Sequence, residues 1–217
     1  MSVFDFPSWT DKVRPMMGLT LAAAPIYIIG LLWYGASPET INVGYSPEQP
    51  VPFSHALHAG ELGMDCRYCH TTVEVAAHAA IPPTGVCMNC HDGRIHPESI
   101  ALAPVRESAA SGDPIEWVRV HDLPDFVYFD HSAHVNKGVS CVECHGRVDT
   151  MERVKQVEPL AMGWCLDCHR HPDPQLRPKE LVTDLAWATD ENREELGARL
   201  RKENDINPRE DCSACHR

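Results

Sequence analysis

The sequence predicts one membrane-spanning helix followed by a domain of short helices and irregular loops, with an interior that side chains alone cannot fill. Three observations lead there. An uncharged apolar run lies near the N-terminus, aromatic residues make up only 7% of the 217 residues against 18 prolines, and there are ten cysteines. Few large apolar groups, on a chain broken so often by proline, cannot close a conventional core.

The apolar run, Met16 to Tyr34 (MMGLTLAAAPIYIIGLLWY), carries no charge. At 1.5 Å per residue it covers about 28 Å as a helix, close to the hydrocarbon thickness of a bilayer. Lys12 and Arg14 precede it and Glu39 is the first charge after it. The positive-inside rule therefore puts residues 1–15 in the cytoplasm and the chain beyond the span outside it. Trp33 and Tyr34 stand where an interfacial aromatic belt belongs, and Pro25 is tolerable if a kink or neighbour satisfies the freed carbonyl. A cleaved signal peptide is the competing reading, but the run exceeds the roughly 7–15 residues of such a core, so an anchor is expected. Residues 35–52, with four prolines and no apolar periodicity, read as an extended tether to a periplasmic domain at 53–217.

A net charge of −12 leaves no basic patch for phosphates and gives no support to a nucleic-acid role. It suits solubility and the steering of a basic partner.

All ten cysteines fall in five motifs of the form Cys-x-x-Cys-His. They are Cys66, Cys69, His70; Cys87, Cys90, His91; Cys141, Cys144, His145; Cys165, Cys168, His169; and Cys212, Cys215, His216. Two thiols three residues apart add to the two vinyl groups of one haem, and the next histidine falls under the iron as its proximal ligand. Paired Cys-x-x-Cys knuckles also bind zinc, but zinc does not require a histidine after every second cysteine. Five covalent haem c groups are expected, and no thiol is left for a catalytic nucleophile.

A repeat is hidden between the motifs. Phe53-Ser-His55-Ala-Leu-His58 precedes Cys66, and Phe129-Asp-His131-Ser-Ala-His134 precedes Cys141. A second haem motif follows closely in each unit, at Cys87 and Cys165, so the period is about 76 residues. The dihaem units cover about 53–100 and 129–175, with a fifth haem appended at 212–216.

Removing the five proximal ligands leaves eight of the 13 histidines. The two H-x-x-H pairs are the best distal ligands, since i and i+3 project from one helical face and can serve two neighbouring haems. His55, His58, His131 and His134 are therefore expected at iron, with His121 as the fifth. A hydrogen-bonded core histidine is the alternative for His121. His96, His171 and His78 are reserves, as is Met162, whose thioether would raise a haem potential relative to bis-histidine.

These residues resemble the class III, cytochrome c7-like multihaem family, in which F-x-H-x-x-H precedes Cys-x-x-Cys-His. The resemblance implies that His55 completes the haem of His70 and His131 that of His145, while His58 and His134 reach other haems. The single N-terminal span, the 2+2+1 layout and the runs VHDLPDFVYFDHSAHVNKGVSCVECHGRVD and MGWCLDCHR are similar to the membrane-anchored pentahaem subunits of alternative complex III. That likeness implies an iron–sulfur subunit, polytopic quinol-binding subunits and a monohaem cytochrome c as partners.

The expected fold is thus a multihaem cytochrome c: one N-terminal transmembrane helix, then short helices and loops around a haem core, with about 36 residues per haem. Asp190 to Asn204 reads as the one clear soluble helix, capped by Asp190 and presenting a charged, exposed face. The expected function is electron transfer from a quinol-oxidising membrane complex to a periplasmic acceptor, with no bond chemistry by this chain alone. Its rivals are a stand-alone quinol dehydrogenase of the NapC/NrfH type, a reductase with one open haem, and a zinc-ribbon scaffold.

Overall fold

The computed structural model describes residues 5–35 and 42–216. Parts of the expected cytoplasmic segment (1–4) and tether (36–41) lie outside the described residues, as does 217. The chain divides into two compact units, Met1–Asn42 and Val43–Arg217.

In the first unit a 3-10 turn at Ser8–Lys12 leads into α1, Val13–Gly35, which runs through Pro25 without ending. Its most apolar window has a mean hydropathy of 1.8 and is buried nowhere within the protein. A helix apolar on every side is long and apolar enough to cross a membrane.

Among the described residues the second unit holds eight further α-helices: α2 Cys66–Cys69, α3 Thr84–His91, α4 Ala103–Ser111, α5 His131–Val135, α6 Val142–His145, α7 Met162–Arg170, α8 Arg193–Glu203 and α9 Cys212–Cys215. A π-helical turn, Ala56–Glu61, occupies the place in the first repeat that α5 holds in the second. Among the described residues extended pairing is limited to two isolated bridges, Val127 with His216 and Val139 with Leu176. This is the helical, loop-rich, sheetless architecture the sequence predicts.

The apolar interior is small. Among the described residues the buried apolar side chains are Val51, Val73, Val105, Val135, Leu176, Val182, Leu196 and Ile206. Val73, Val135 and Val182 form one cluster joining the two repeats to the segment that follows them. So little buried apolar surface cannot offset the entropy of ordering a domain this long, so the rest of the interior belongs to groups other than side chains.

The repeats grip each other reciprocally. In the second, His131 N and Ser132 N donate to Ala77 O and Ala76 O, at 3.1 and 3.3 Å. In the first, Ala56 N donates to Met151 O at 3.0 Å. Asn136 reaches Glu74 O at 2.8 Å, and the equivalent Gly60 packs so close to Asp149 O that a Cβ would strike it. Each histidine-bearing turn thus rests on the loop behind the other repeat's first motif. The caps match too: Asp130 accepts from Ser132 N and Ala133 N, and Ser54 Oγ accepts from Leu57 N at 3.0 Å.

Helix α8 corrects one expectation. It begins at Arg193, and its cap is Asn192, whose side chain accepts from Glu194 N and Glu195 N; Asp190 is not the cap. Nor is the helix exposed all round: Leu196 and Gly197 are buried where it packs on the turn at Asp173–Gln175. Glycine at 197 is what allows that approach, since a Cβ there would strike the Asp173 carbonyl. Gly197→Ala is expected to cost about 2 kcal/mol through overpacking, lowering Tm by roughly 5 °C in thermal unfolding followed by far-ultraviolet circular dichroism.

Candidate haem sites

Each Cys-x-x-Cys-His motif forms one helical turn. Those of α3, α6 and α7 contain the motif histidine, while α2 and α9 end just before His70 and His216. A turn puts residues i and i+3 on one face, so both thiols of a motif point the same way with the imidazole beside them. Local caps explain why such short helices form. Asp65 accepts from Arg67 N at 2.8 Å ahead of α2, and Ser140 Oγ receives Val142 N at 3.4 Å ahead of α6.

The imidazoles are held in one way almost throughout. Nδ1 of His70 meets Ala80 O at 2.8 Å, that of His91 meets Ile95 O at 3.1 Å, that of His169 meets Arg209 O at 2.7 Å and that of His216 meets Phe126 O at 3.3 Å. The H-x-x-H histidines do the same: His58 to Ser54 O at 2.8 Å, His131 to Ala77 O at 2.8 Å and His134 to Asp130 O at 2.7 Å. A carbonyl can only accept, so Nδ1 carries the proton and Nε2 keeps its lone pair. That is the tautomer a metal takes.

These rings then meet in pairs. His58 lies 6.4 Å from His91, His131 lies 6.3 Å from His145 and His134 lies 6.1 Å from His169, measured between ring centres. Two imidazoles on opposite sides of one metal, each nitrogen about 2 Å from it, have centres roughly 6 Å apart. The residues present therefore fit an iron between each pair, with the two thiols of a motif beside it. His55 is the first-repeat counterpart of His131. Burial first, and then His70 and His58, hold its pKa down at about 4, and its Nδ1 is buried without a hydrogen-bond partner. Phe53 and Phe129 brace both turns alike, edge-on to His55 and His131 at 4.8 Å and stacked on His58 and His134 at 4.3 and 4.5 Å.

The structure places the other expected candidates elsewhere. His121 lies beside His145 with ring centres 4.4 Å apart. His78 and His96 are exposed, and His171 is exposed with Nδ1 3.7 Å from Asp167. Met162 is 66% exposed at the start of α7. None of His78, His96 and His171 joins an imidazole pair among the described residues.

The motifs also adjoin one another in a definite sequence. Asn89 Nδ2 donates to Tyr68 Oη at 3.1 Å, joining α3 to α2. Cys66 neighbours Cys141 and, with burial, pushes the Cys141 thiol up. Burial, with Cys168 nearby, pushes Cys144 up to about 12, and Cys165 is raised by burial and by Cys215. Arg170 pairs with Glu210 at 3.0 Å, tying α7 to the approach of α9.

One feature of the third motif has no sequence signature. Glu143, between its cysteines, accepts from Arg177 at 2.9 Å, and Arg193 stands 3.6 Å away. Both guanidinium groups lie 5.0 Å from the Trp187 ring centre. Arg177 is only 4% exposed, and its Nε is buried without a partner. The partners lie 34 residues apart, so nothing local in the chain points to them.

A family model described as cytochrome c7 and related cytochrome c matches residues 51–106 and 127–217. The chain belongs to this family. Membership in the cytochrome c7 family implies covalently bound c-type haem, the group that the turns and imidazole pairs fit. This cytochrome is also similar to the menaquinone reductase multiheme cytochrome c subunit of Nitratidesulfovibrio vulgaris (Hildenborough strain), at 35% identity over 130 residues, covering 57% of this chain and 59% of that protein. It thus spans about three fifths of that relative's length.

Removing Arg177 would leave Glu143 facing a half-buried site without its closest cation. Arg177→Ala is expected to destabilise the holoprotein by about 3 kcal/mol, read as a lower guanidinium midpoint at unchanged haem content.

Proposed function

We propose that this cytochrome carries five haem c groups in a row and passes electrons between a quinone-reactive membrane complex and a periplasmic acceptor. The observation that carries the reading is the set of imidazole pairs 6.1 to 6.4 Å apart, each joining an H-x-x-H histidine to a motif histidine. His131 would complete the iron of His145, His58 that of His91 and His134 that of His169. The repeat relation gives His55 to the iron of His70. Haem, once bound, supplies one-electron redox chemistry, and the chain sets each potential through ligand, hydrogen bonds and burial.

The adjoining motifs give an order: second, first, third, fourth, fifth. The α3 turn and the α9 turn are the ends of that row, so donor and acceptor docking belong there. Helix α1 would anchor the domain with residues 1–15 in the cytoplasm, on the strength of Lys12 and Arg14. An iron–sulfur subunit, polytopic quinol-binding subunits and a monohaem cytochrome c are the proposed partners. The Nitratidesulfovibrio relative, named as part of a menaquinone reductase, favours a second reading with the same row and electrons flowing toward quinone.

The test is direct. The purified chain should have a mass exceeding the bare polypeptide by five haems, with a reduced α-band of the c type. In the native membrane complex, adding menaquinol should reduce the haems if flow runs outward, and reduced haems should be reoxidised by menaquinone if it runs inward. A chain carrying fewer than five haems, or haems inert to both, rejects the proposal.

The ligand pairs predict a position-specific result. His134→Ala should convert one low-spin haem to a high-spin form that binds carbon monoxide, leaving the other four unchanged in electron paramagnetic resonance. His58→Ala should do the same at a different haem. The two variants should shift different midpoints in a redox titration, because they open the irons of His169 and His91.

A further inference from the structure

His145 stands apart from the other motif histidines. His70, His91, His169 and His216 each have Nδ1 on a backbone carbonyl. His145 has no such carbonyl: its Nδ1 faces His121 Nε2 at 3.3 Å. The two rings are close to perpendicular, at 81° and 4.4 Å between centres. On its other side His145 faces His131, nearly parallel at 9° and 6.3 Å.

The two neighbours of His145 therefore have different geometries. The His131 spacing leaves room for an iron between the rings. The His121 spacing is too short for that, since rings flanking one metal stand roughly 6 Å apart. A neutral imidazole has one N–H and one bare nitrogen. With Nε2 of His145 committed to iron, its Nδ1 carries the proton and donates to His121 Nε2. The proton of His121 then sits on its own Nδ1, so neither of its nitrogens has a lone pair free for metal.

We propose that His121 is a positioning residue for His145 and not an axial ligand. It fixes the tautomer and orientation of that imidazole in place of the carbonyl used at the other four motifs. It also acts on the iron through the ligand. An imidazole nitrogen is a stronger base than an amide oxygen, so it draws the Nδ1 proton harder and leaves more electron density on His145. A more basic ligand favours the ferric state, so this haem is held lower in potential than a carbonyl acceptor would set it. With His121 removed from the ligand set and the four H-x-x-H histidines assigned, any sixth ligand of the His216 iron would come from outside these five histidines. The inference rests on the pentahaem reading above.

The test uses the full chain in its membrane complex, with His121→Leu to delete the acceptor and His121→Gln to keep one. The parent is measured first; fewer than five haems there would defeat the pentahaem reading before any variant is made. Both variants are expected to keep five haems, to show no new high-spin ferric signal and to form no new carbon monoxide adduct. In the Leu variant one midpoint alone should rise, by a factor of about ten in its redox equilibrium, or about 59 mV for one electron. The Gln variant, whose amide oxygen is a weaker acceptor than imidazole, should return part of that shift. A new high-spin haem that binds carbon monoxide in either variant would show His121 to be a ligand and overturn the proposal, as would five unmoved midpoints. If the Leu chain does not mature, the Gln variant still decides: glutamine offers a weaker acceptor to His145 and no imidazole to iron, so a high-spin haem or five unmoved midpoints there reject the positioning role, and one raised midpoint without a high-spin haem upholds it.

Discussion

The hydrogen bond from an imidazole Nδ1 to a backbone carbonyl is the constraint on which this domain is built. It fixes which nitrogen holds the proton, turns the bare Nε2 outward and locks the ring plane. Seven histidines are held so, each by a carbonyl from its own turn or from a loop brought in by the fold. The loops that connect short helices are therefore functional scaffolding. Arg209 O, 40 residues from His169, is placed by the packing of α8 and the segment behind it. Prolines serve the same end, because a loop of fixed φ holds a carbonyl steadily at little entropic cost.

The same constraint explains a domain with so few buried apolar side chains. Ile81, Ile100, Phe126 and Met162 are more than half exposed although they flank haem motifs. A porphyrin is a large apolar plate, and covering it gives such residues the burial that the polypeptide does not. Folding and cofactor attachment are then coupled in the manner of small metal-dependent domains, where binding energy is folding energy. The buried Val73, Val135 and Val182 cluster, with the reciprocal bonds between repeats, sets how the two halves meet.

Much of this was legible in the chain because haem attachment is local chemistry. Cys-x-x-Cys-His fits one turn, and the F-x-H-x-x-H element fits another, so spacing alone singled out the three H-x-x-H histidines and the three motif histidines that the structure brings into pairs. The 76-residue repeat has a structural counterpart: Phe53 and Phe129 brace their histidines in the same geometry. What could not be read depends on contacts distant in sequence. The His58–His91 and His134–His169 pairings arise because a turn and a later motif are folded together across more than 30 residues. Asp190 looked like a cap because a charged side chain precedes a helical pattern, but Asn192 sits where the backbone turns in and reaches the free amides. The Arg177–Glu143 pair and its Trp187 stack carry no periodicity at all.

Duplication gives two halves with nearly equal surroundings, and equal surroundings give equal potentials. A row of haems that must pass charge from one partner to another gains from breaking that equality, and the departures from symmetry converge on one motif. The first repeat has Tyr68 where the second has Glu143. It has Ala80 O on its first motif histidine where the second has His121. Only the second adds a deeply buried arginine, Arg177, beside that motif. A basic acceptor on the ligand pulls a haem potential down, while two guanidinium groups set against the single carboxylate of Glu143 leave an excess positive charge that disfavours the ferric state and pulls it up. If His121 positions His145 as proposed, the two opposing terms would act on the third motif, which adjoins both the first and the fourth, and its potential would be set by a difference between local interactions that can be adjusted without disturbing the repeat.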